Sequence, residues 1–159
     1  MIFMHYLKEG TYMKISEMTI AEVDTVLPLY IDQYNNYEDS CWTKETAGKR
    51  IRQVLNTDDS FSLIMRDDNG NAVGFVMGYF KQYDDLVAYT LDEIVVAHSQ
   101  QGKGYGTALM QELEKNVREK GAAGMELQSV NDNPHERFYD RAGFKTSSSF
   151  VGKCKWFYF

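Results

Sequence analysis

The sequence predicts a mixed α/β domain built around a largely antiparallel sheet, in the order β-α-α-β-β-β-α-β-α-β-β. Three observations carry that prediction. Apolar spacing switches along the chain between a period of two and a helical stripe. Asp68-Asn69-Gly70-Asn71 is a strong hairpin turn between two strand-like runs. Ser99 to Gly106 is a glycine-rich turn between a strand of β-branched residues and an amphipathic helix.

Taken in order, Met13 to Met18 alternates as a short strand. Thr19 and Glu22 have capping-box spacing, and Val23, Val26, Leu27, Tyr30 and Tyr34 follow as a helical stripe. Pro28 interrupts that stripe, which predicts a kink or a split. Residues 35–42 read as a loop, and a second helix after Thr43 turns Ala47, Ile51, Val54 and Leu55 inward. Phe61, Leu63 and Met65 alternate as a strand, and Val73, Phe75, Met77 and Tyr79 return from the hairpin. Leu86 to Ala97 is a long strand. The helix after Gly106 runs to about Lys120, with Tyr105, Leu109, Leu113 and Val117 on one stripe and Gly121 and Gly124 bracketing its end. Met125 to Val130 is a strand, so the unit from Leu86 to Val130 is a parallel crossover. Pro134 suits the first turn of a short helix through Arg141, and the remainder, with Phe150 and Trp156 to Phe159, reads as two more strands.

The chain has 159 residues, 43% hydrophobic and 25% charged, which is globular composition. Its 23 acidic against 17 basic residues leave a net charge of −6, which disfavours a nonspecific nucleic-acid binder while leaving room for a local phosphate site. Aromatic residues at 14% point to an aromatic-lined cleft as well as a core. No stretch has the length of a membrane span, and the N-terminus lacks the pattern of a secretory signal. Cys41 and Cys154 lie far apart without a CxxC pair and read as reduced thiols in a cytoplasmic protein. His5, His98 and His135 show no ligand spacing, so no metal is expected.

Residues 1–12 fit the pattern poorly, and the domain reads as 13–159. Lys8-Glu9-Gly10 can be encoded by a purine-rich ribosome-binding sequence just upstream of Met13, so 1–12 reads as a translated leader or as an ordinary extra strand or tail. N-terminal sequencing of the native protein separates the two.

Gly102, Gly104 and Gly106 alternate between a strand and a helix. Glycine permits positive φ and close approach of a ligand. The first amides of the helix lack intrahelical acceptors and sit at its positive end, so the turn can hold a pyrophosphate, with Lys103 and Thr107 as further donors. It lacks the GxxxxGK[ST] of a Walker loop, and neither Gly102 nor Gly104 opens a GxGxxG fingerprint.

LDEIVV (91–96), then Gln101-x-x-Gly104-x-Gly106, then Asn133 and FYxxxGF (138–144) together resemble the GNAT superfamily of N-acetyltransferases. The match is specific over about residues 86–144, and the element order fits over 13–159. The resemblance implies acetyl-CoA, or another short acyl-CoA, as donor. It implies that the backbone of Ile94, Val95 and Val96 pairs with the pantetheine arm, and that Gly102, Lys103, Gly104, Tyr105, Gly106 and Thr107 bind the pyrophosphate. Gln101 stands where the family has Arg or Gln, His98 where Pro is frequent, and His135 where a small residue is common. Asn133 would contact the cofactor, with Asn131 as a rival in register.

Amide formation from a thioester needs a neutral amine, a stabilised oxyanion and a leaving thiolate. Asp92 and Glu93 are candidate bases on the key strand; adjacent residues face opposite sides, so one faces the acyl group unless a β-bulge intervenes. Spacing to the glycine turn favours Asp92 by resemblance, and reach favours Glu93. The Val96 N–H would serve the oxyanion, and Tyr139, by resemblance, would protonate the CoA sulfur. Tyr30, Tyr34, Glu38 and Trp42, with Tyr37 and Asp39 nearby, suit a cationic acceptor through charge pairing and cation–π contact. The expected function is transfer of acetyl from acetyl-CoA to a primary amine by direct attack in a ternary complex, a small cationic amine being favoured. The alternatives are a protein or peptide N-acetyltransferase and a noncatalytic acyl-CoA-binding module. Neither nucleic acid nor membrane is expected as a partner. The aromatic C-terminus fits a homodimer interface or a buried final strand equally.

Overall fold

Six strands form one sheet in sequential order: β1 (Ile2–Tyr6), β2 (Tyr12–Glu17), β3 (Ser60–Arg66), β4 (Ala72–Gln82), β5 (Val87–Val96) and β6 (Gly124–Leu127). The computed structural model describes residues 2–6 and 12–157, and for 2–6 and 12 only the backbone path. It divides into two units, the first through Gln128 and the second from Ser129 onward. Every neighbouring pair of strands is antiparallel except β5 and β6, which run parallel with helix α3 (Tyr105–Glu119) between them. The expected crossover therefore forms. The segment placed outside the domain by its sequence includes β1, which pairs with β2; residues 7–11 lie outside the described part.

Helix α1 (Val23–Tyr37) follows a 3₁₀ turn over Ile20–Glu22, at whose start the Thr19 N–H donates to Glu22 Oε2 at 2.7 Å. Of the two outcomes expected at Pro28, the split does not occur: α1 runs unbroken through it. The residue is exposed, so the carbonyl it deprives of a donor can be met by water. Helix α2 (Lys44–Leu55) begins where its cap predicts, with Thr43 Oγ1 accepting from the Thr46 N–H at 3.1 Å.

Phe75 and Met77 of β4 join Val26, Tyr30, Ala47, Ile51 and Val54 in one core, which places α1 and α2 on that face. A Cβ added at Gly74 would lie 3.1 Å from Leu109 Cδ1, so α3 covers the other face. With both faces covered, β3 is buried from Phe61 to Met65 rather than at alternate positions.

Between β4 and β5 the register slips: Met77 pairs with Glu93 and Gly78 with Leu91, leaving Asp92 as the extra residue of a bulge. Gly78 is required opposite it. A Cβ there would stand 2.1 Å from the Thr90 carbonyl oxygen and 2.7 Å from the hydroxyl of Tyr89, which itself donates to the Phe61 carbonyl at 2.7 Å.

In the second unit, helix α4 (Asn133–Arg141) forms as expected, with Pro134 in its first turn and Asp132 Oδ1 accepting from the His135 N–H at 2.9 Å. The two final strands do not follow: residues 145–157 carry no helix or strand, and 158–159 lie outside the described part. Ser147 Oγ accepts from the amides of Ser149 and Phe150, both at 3.1 Å, so a local side-chain turn takes donors a strand ladder would need. No helix among the described residues is long and apolar enough to cross a membrane.

Candidate active site

The β5 bulge brings together two carboxylates that regular alternation would place on opposite faces. Arg50 Nη2, from α2, lies 3.2 Å from Asp92 Oδ2 and 3.3 Å from Glu93 Oε1. The bulge that the sequence left open as the exception to strict alternation is present, and with it both carboxylates reach Arg50. Two phenols from α1 complete the shell. Tyr34 donates to Glu93 Oε2, and Tyr30 donates to Oε1 at 3.4 Å. They lie one helical turn apart, with ring centroids 4.6 Å apart. Trp42 meets Tyr30 edge-on at 5.3 Å. Asn35 holds Trp42 by its backbone, accepting from its N–H at 2.7 Å and donating to its carbonyl at 2.9 Å.

Burial decides the electrostatics. The Glu93 side chain is 13% exposed, and desolvation pushes its carboxyl above the ordinary range, although Tyr34 and Arg50 oppose the rise. Burial, then the Glu93 charge, pushes the hydroxyls of Tyr30 and Tyr34 upward, so both remain donors at physiological pH. Burial works against the Arg50 charge, but Asp92 and Glu93 more than offset it. The cluster can take a proton at one carboxylate and hold a cation against two. Arg50 escaped the sequence reading. It lies beside inward Ile51, but only the packing of α2 on the sheet, within reach of Asp92 and Glu93, selects it among its basic neighbours.

Glu38 does not join this cluster. It accepts from Gln33 Nε2 at 3.0 Å; Gln33 in turn accepts from Gln101 Nε2 at 2.9 Å, and Gln101 also donates to the Val96 carbonyl at 3.0 Å. The side chain of Gln101 therefore ties α1 to the end of β5. Tyr37 stacks on His98, with centroids 3.6 Å apart, beside the same junction.

The glycine turn follows directly. Gly102 and Gly104 have φ of +74° and +88°, and a Cβ at Gly102 would meet nothing within 4 Å. Gly104 is the N-cap of α3; the Ala108 N–H is bonded to its carbonyl, while the amides before it lie at the open helix end. Lys103 Nζ is held 3.1 Å from Gln100 Oε1, and Thr107 is exposed. Tyr105 buries its ring, leaving its backbone for a ligand. Next to the turn, β6 pairs with β5 only as far as Leu91. The Ala97 N–H points to Val73 of β4, so by alternation the polar groups of Ile94 and Val96 point the other way, where the described residues supply no strand partner. Val95 is directed back to β4. An amide-bearing chain on this edge and a diphosphate at the turn both fit what is present.

Asn133 and Tyr139 belong to the second unit. Asn133 is the exposed first residue of α4; Tyr139 is half-buried, with its ring 5.2 Å from Phe138 and 5.8 Å from Phe144.

Two curated relatives are each 29% identical to the chain. One is an uncharacterised protein, YxbD, of Bacillus subtilis, matched over 62% of this chain and 58% of its own length. The other is the L-2,4-diaminobutyric acid acetyltransferase of Nocardia farcinica, matched over 52% and 48%. The chain thus spans about half the length of these relatives. In three dimensions it is similar to the aminoglycoside N-acetyltransferase AAC(6')-Iy, solved in complex with CoA, at a TM-score of 0.72 and 18% identity over 94% of this chain and 99% of that one. Residues 23–144 match the acetyltransferase (GNAT) family, and the chain belongs to it.

Proposed function

We propose that the protein transfers an acetyl group from acetyl-CoA to the primary amine of a small cationic acceptor, by direct attack in a ternary complex. The observation that carries this reading is the half-buried Asp92–Glu93 pair walled by Tyr30, Tyr34 and Trp42. The name of the Nocardia relative supports a small acceptor bearing amines. When bound, acetyl-CoA supplies an activated acyl thioester. The edge at Ile94 and Val96, which has no strand partner among the described residues and whose Val96 carbonyl is met by Gln101, holds an extended amide-bearing arm as an added strand would. The turn from Gly102 to Thr107 receives the diphosphate through its amides, with Lys103 and Thr107 as further donors. Gln101 holds the end of β5 in place, and Asn133 is the further coenzyme contact.

A primary amine arrives mostly protonated at neutral pH. Glu93, with Asp92 beside it, accepts that proton, and the Val96 N–H donates to the oxygen where charge develops. Tyr139 is the proposed proton donor to the departing sulfur. Both exposed free thiols, Cys41 and Cys154, suit a reducing cytoplasmic setting.

The test is a screen with acetyl-CoA that follows free thiol release against polyamines, amino sugars, diamino acids and peptides. Release with small polycationic amines is the expected result. Release with peptides alone moves the acceptor to a protein N-terminus or lysine. Calorimetric binding of CoA without release makes this a noncatalytic acyl-CoA module, and absence of both overturns the reading.

A further inference from the structure

Among the described residues, Arg50 is the one cation in direct contact with the carboxylate pair, and it comes from an element the reaction otherwise does not use. Two negative charges on adjacent strand residues repel each other, more strongly as they leave water. The bulge forces that proximity. A single guanidinium nitrogen touching both is the arrangement that lets both stay charged. Arg50 itself is 30% exposed, at the edge of the cluster.

We propose that Arg50 is a positioning residue for proton removal: it clamps Asp92 and Glu93 together in ionised form, so that Glu93 can accept a proton from the incoming ammonium. This rests on the acetyl-transfer reading above. In the step, the ammonium N–H bond breaks, an O–H bond forms at Glu93, and the electron pair stays on nitrogen for attack on the thioester carbonyl. The groups acting on Glu93 are the phenols of Tyr30 and Tyr34 on α1, Arg50 on α2 and Asp92 on β5; Met77, its partner on β4, is uncharged. Tyr30 and Tyr34 orient the carboxylate as neutral donors. Among the described residues, Arg50 alone brings a compensating charge, opposing both the repulsion from Asp92 and the cost of burial.

The experiment follows the carboxyl resonance of Glu93 in full-length protein carrying ¹³C-labelled glutamate, assigned by its loss in Glu93→Gln, against pH. In Arg50→Gln the titration should move to higher pH by about one to three units, the effect of removing one close opposite charge. Arg50→Lys, which keeps a cation, should return it toward wild type. In parallel, kcat of Arg50→Gln should fall at neutral pH and recover as pH rises, with KM for acetyl-CoA unchanged. Should Arg50→Gln not fold, Arg50→Met retains the packed stem and carries the same test. A Glu93 titration identical to wild type in a folded variant, or a loss of kcat by a factor independent of pH, overturns the role of Arg50. Absence of thiol release by wild-type protein with every amine overturns the acetyl-transfer reading instead.

Discussion

The carboxylate cluster and the glycine turn lie about ten residues apart in sequence, yet they are built by opposite means. The cluster is made of side chains: Glu93 is bonded by Tyr30, Tyr34 and Arg50, which come from two helices in the first third of the chain. The turn is made of backbone: two glycines at positive φ and the open end of α3. A buried charge must find partners wherever packing places them. An amide site needs only the right dihedrals and a helix behind it.

The largest expected effect tests the side-chain half. Glu93→Gln should reduce kcat by about a hundred- to ten-thousandfold, the range for a lost general base, while leaving CoA affinity unchanged. Asp92→Asn should cost markedly less, since its side chain is 28% exposed against 13% for Glu93. Saturating thiol-release assays measure both, and equal losses would erase the distinction within the pair.

The backbone half should answer in the opposite sense. Gly104→Ala puts a Cβ at φ +88°, a strain of about 1–2 kcal/mol, and should weaken CoA binding about tenfold by calorimetry with a smaller change in kcat. A kcat loss with full CoA affinity would contradict the division between the two regions.

A third measurement concerns stability against pH. The carboxyl of Glu93 is raised in the folded state, so between its unfolded and folded pKa values the native protein binds more protons than the unfolded chain. The stability from Glu93 is complete below the unfolded pKa and is lost as pH rises through the folded one. Glu93→Gln should therefore gain Tm over wild type at neutral pH and lose that gain in acid; a constant offset at all pH values would contradict the burial of the charge.

The smallest effect lies outside both regions. Thr43→Ala removes the cap of α2 and should cost about 1 kcal/mol, lowering Tm by about 2–4 °C, with the kcat of the folded protein unaltered.

Much of the framework was legible residue by residue. The cap at Thr43, the glycines before α3, Pro134 in α4 and the crossover between β5 and β6 each act through neighbours close along the chain, and each stands where it was expected. Three features were not legible. Pro28 reads as a kink or a split, but its place on the solvent side of α1 lets the helix continue through it. The aromatic C-terminal segment reads as strand, but β-propensity acts through a pairing edge, and the serines at 147–149 form a turn instead. The facing of Asp92 and Glu93 turned on one inserted residue against Gly78, a bulge that the sequence allowed for but could not choose over strict alternation.

From the chain alone, then, came the helices, the strands β2 to β6, the turn with its open amides, and the family motif. Only the tertiary structure decided which carboxylates meet, that Arg50 lies between them, and that Glu38 is drawn off to Gln33. Dihedral preference is set within a few residues of each position. The partners of a desolvated charge are set by which helix faces pack over which strand, a property of the whole core.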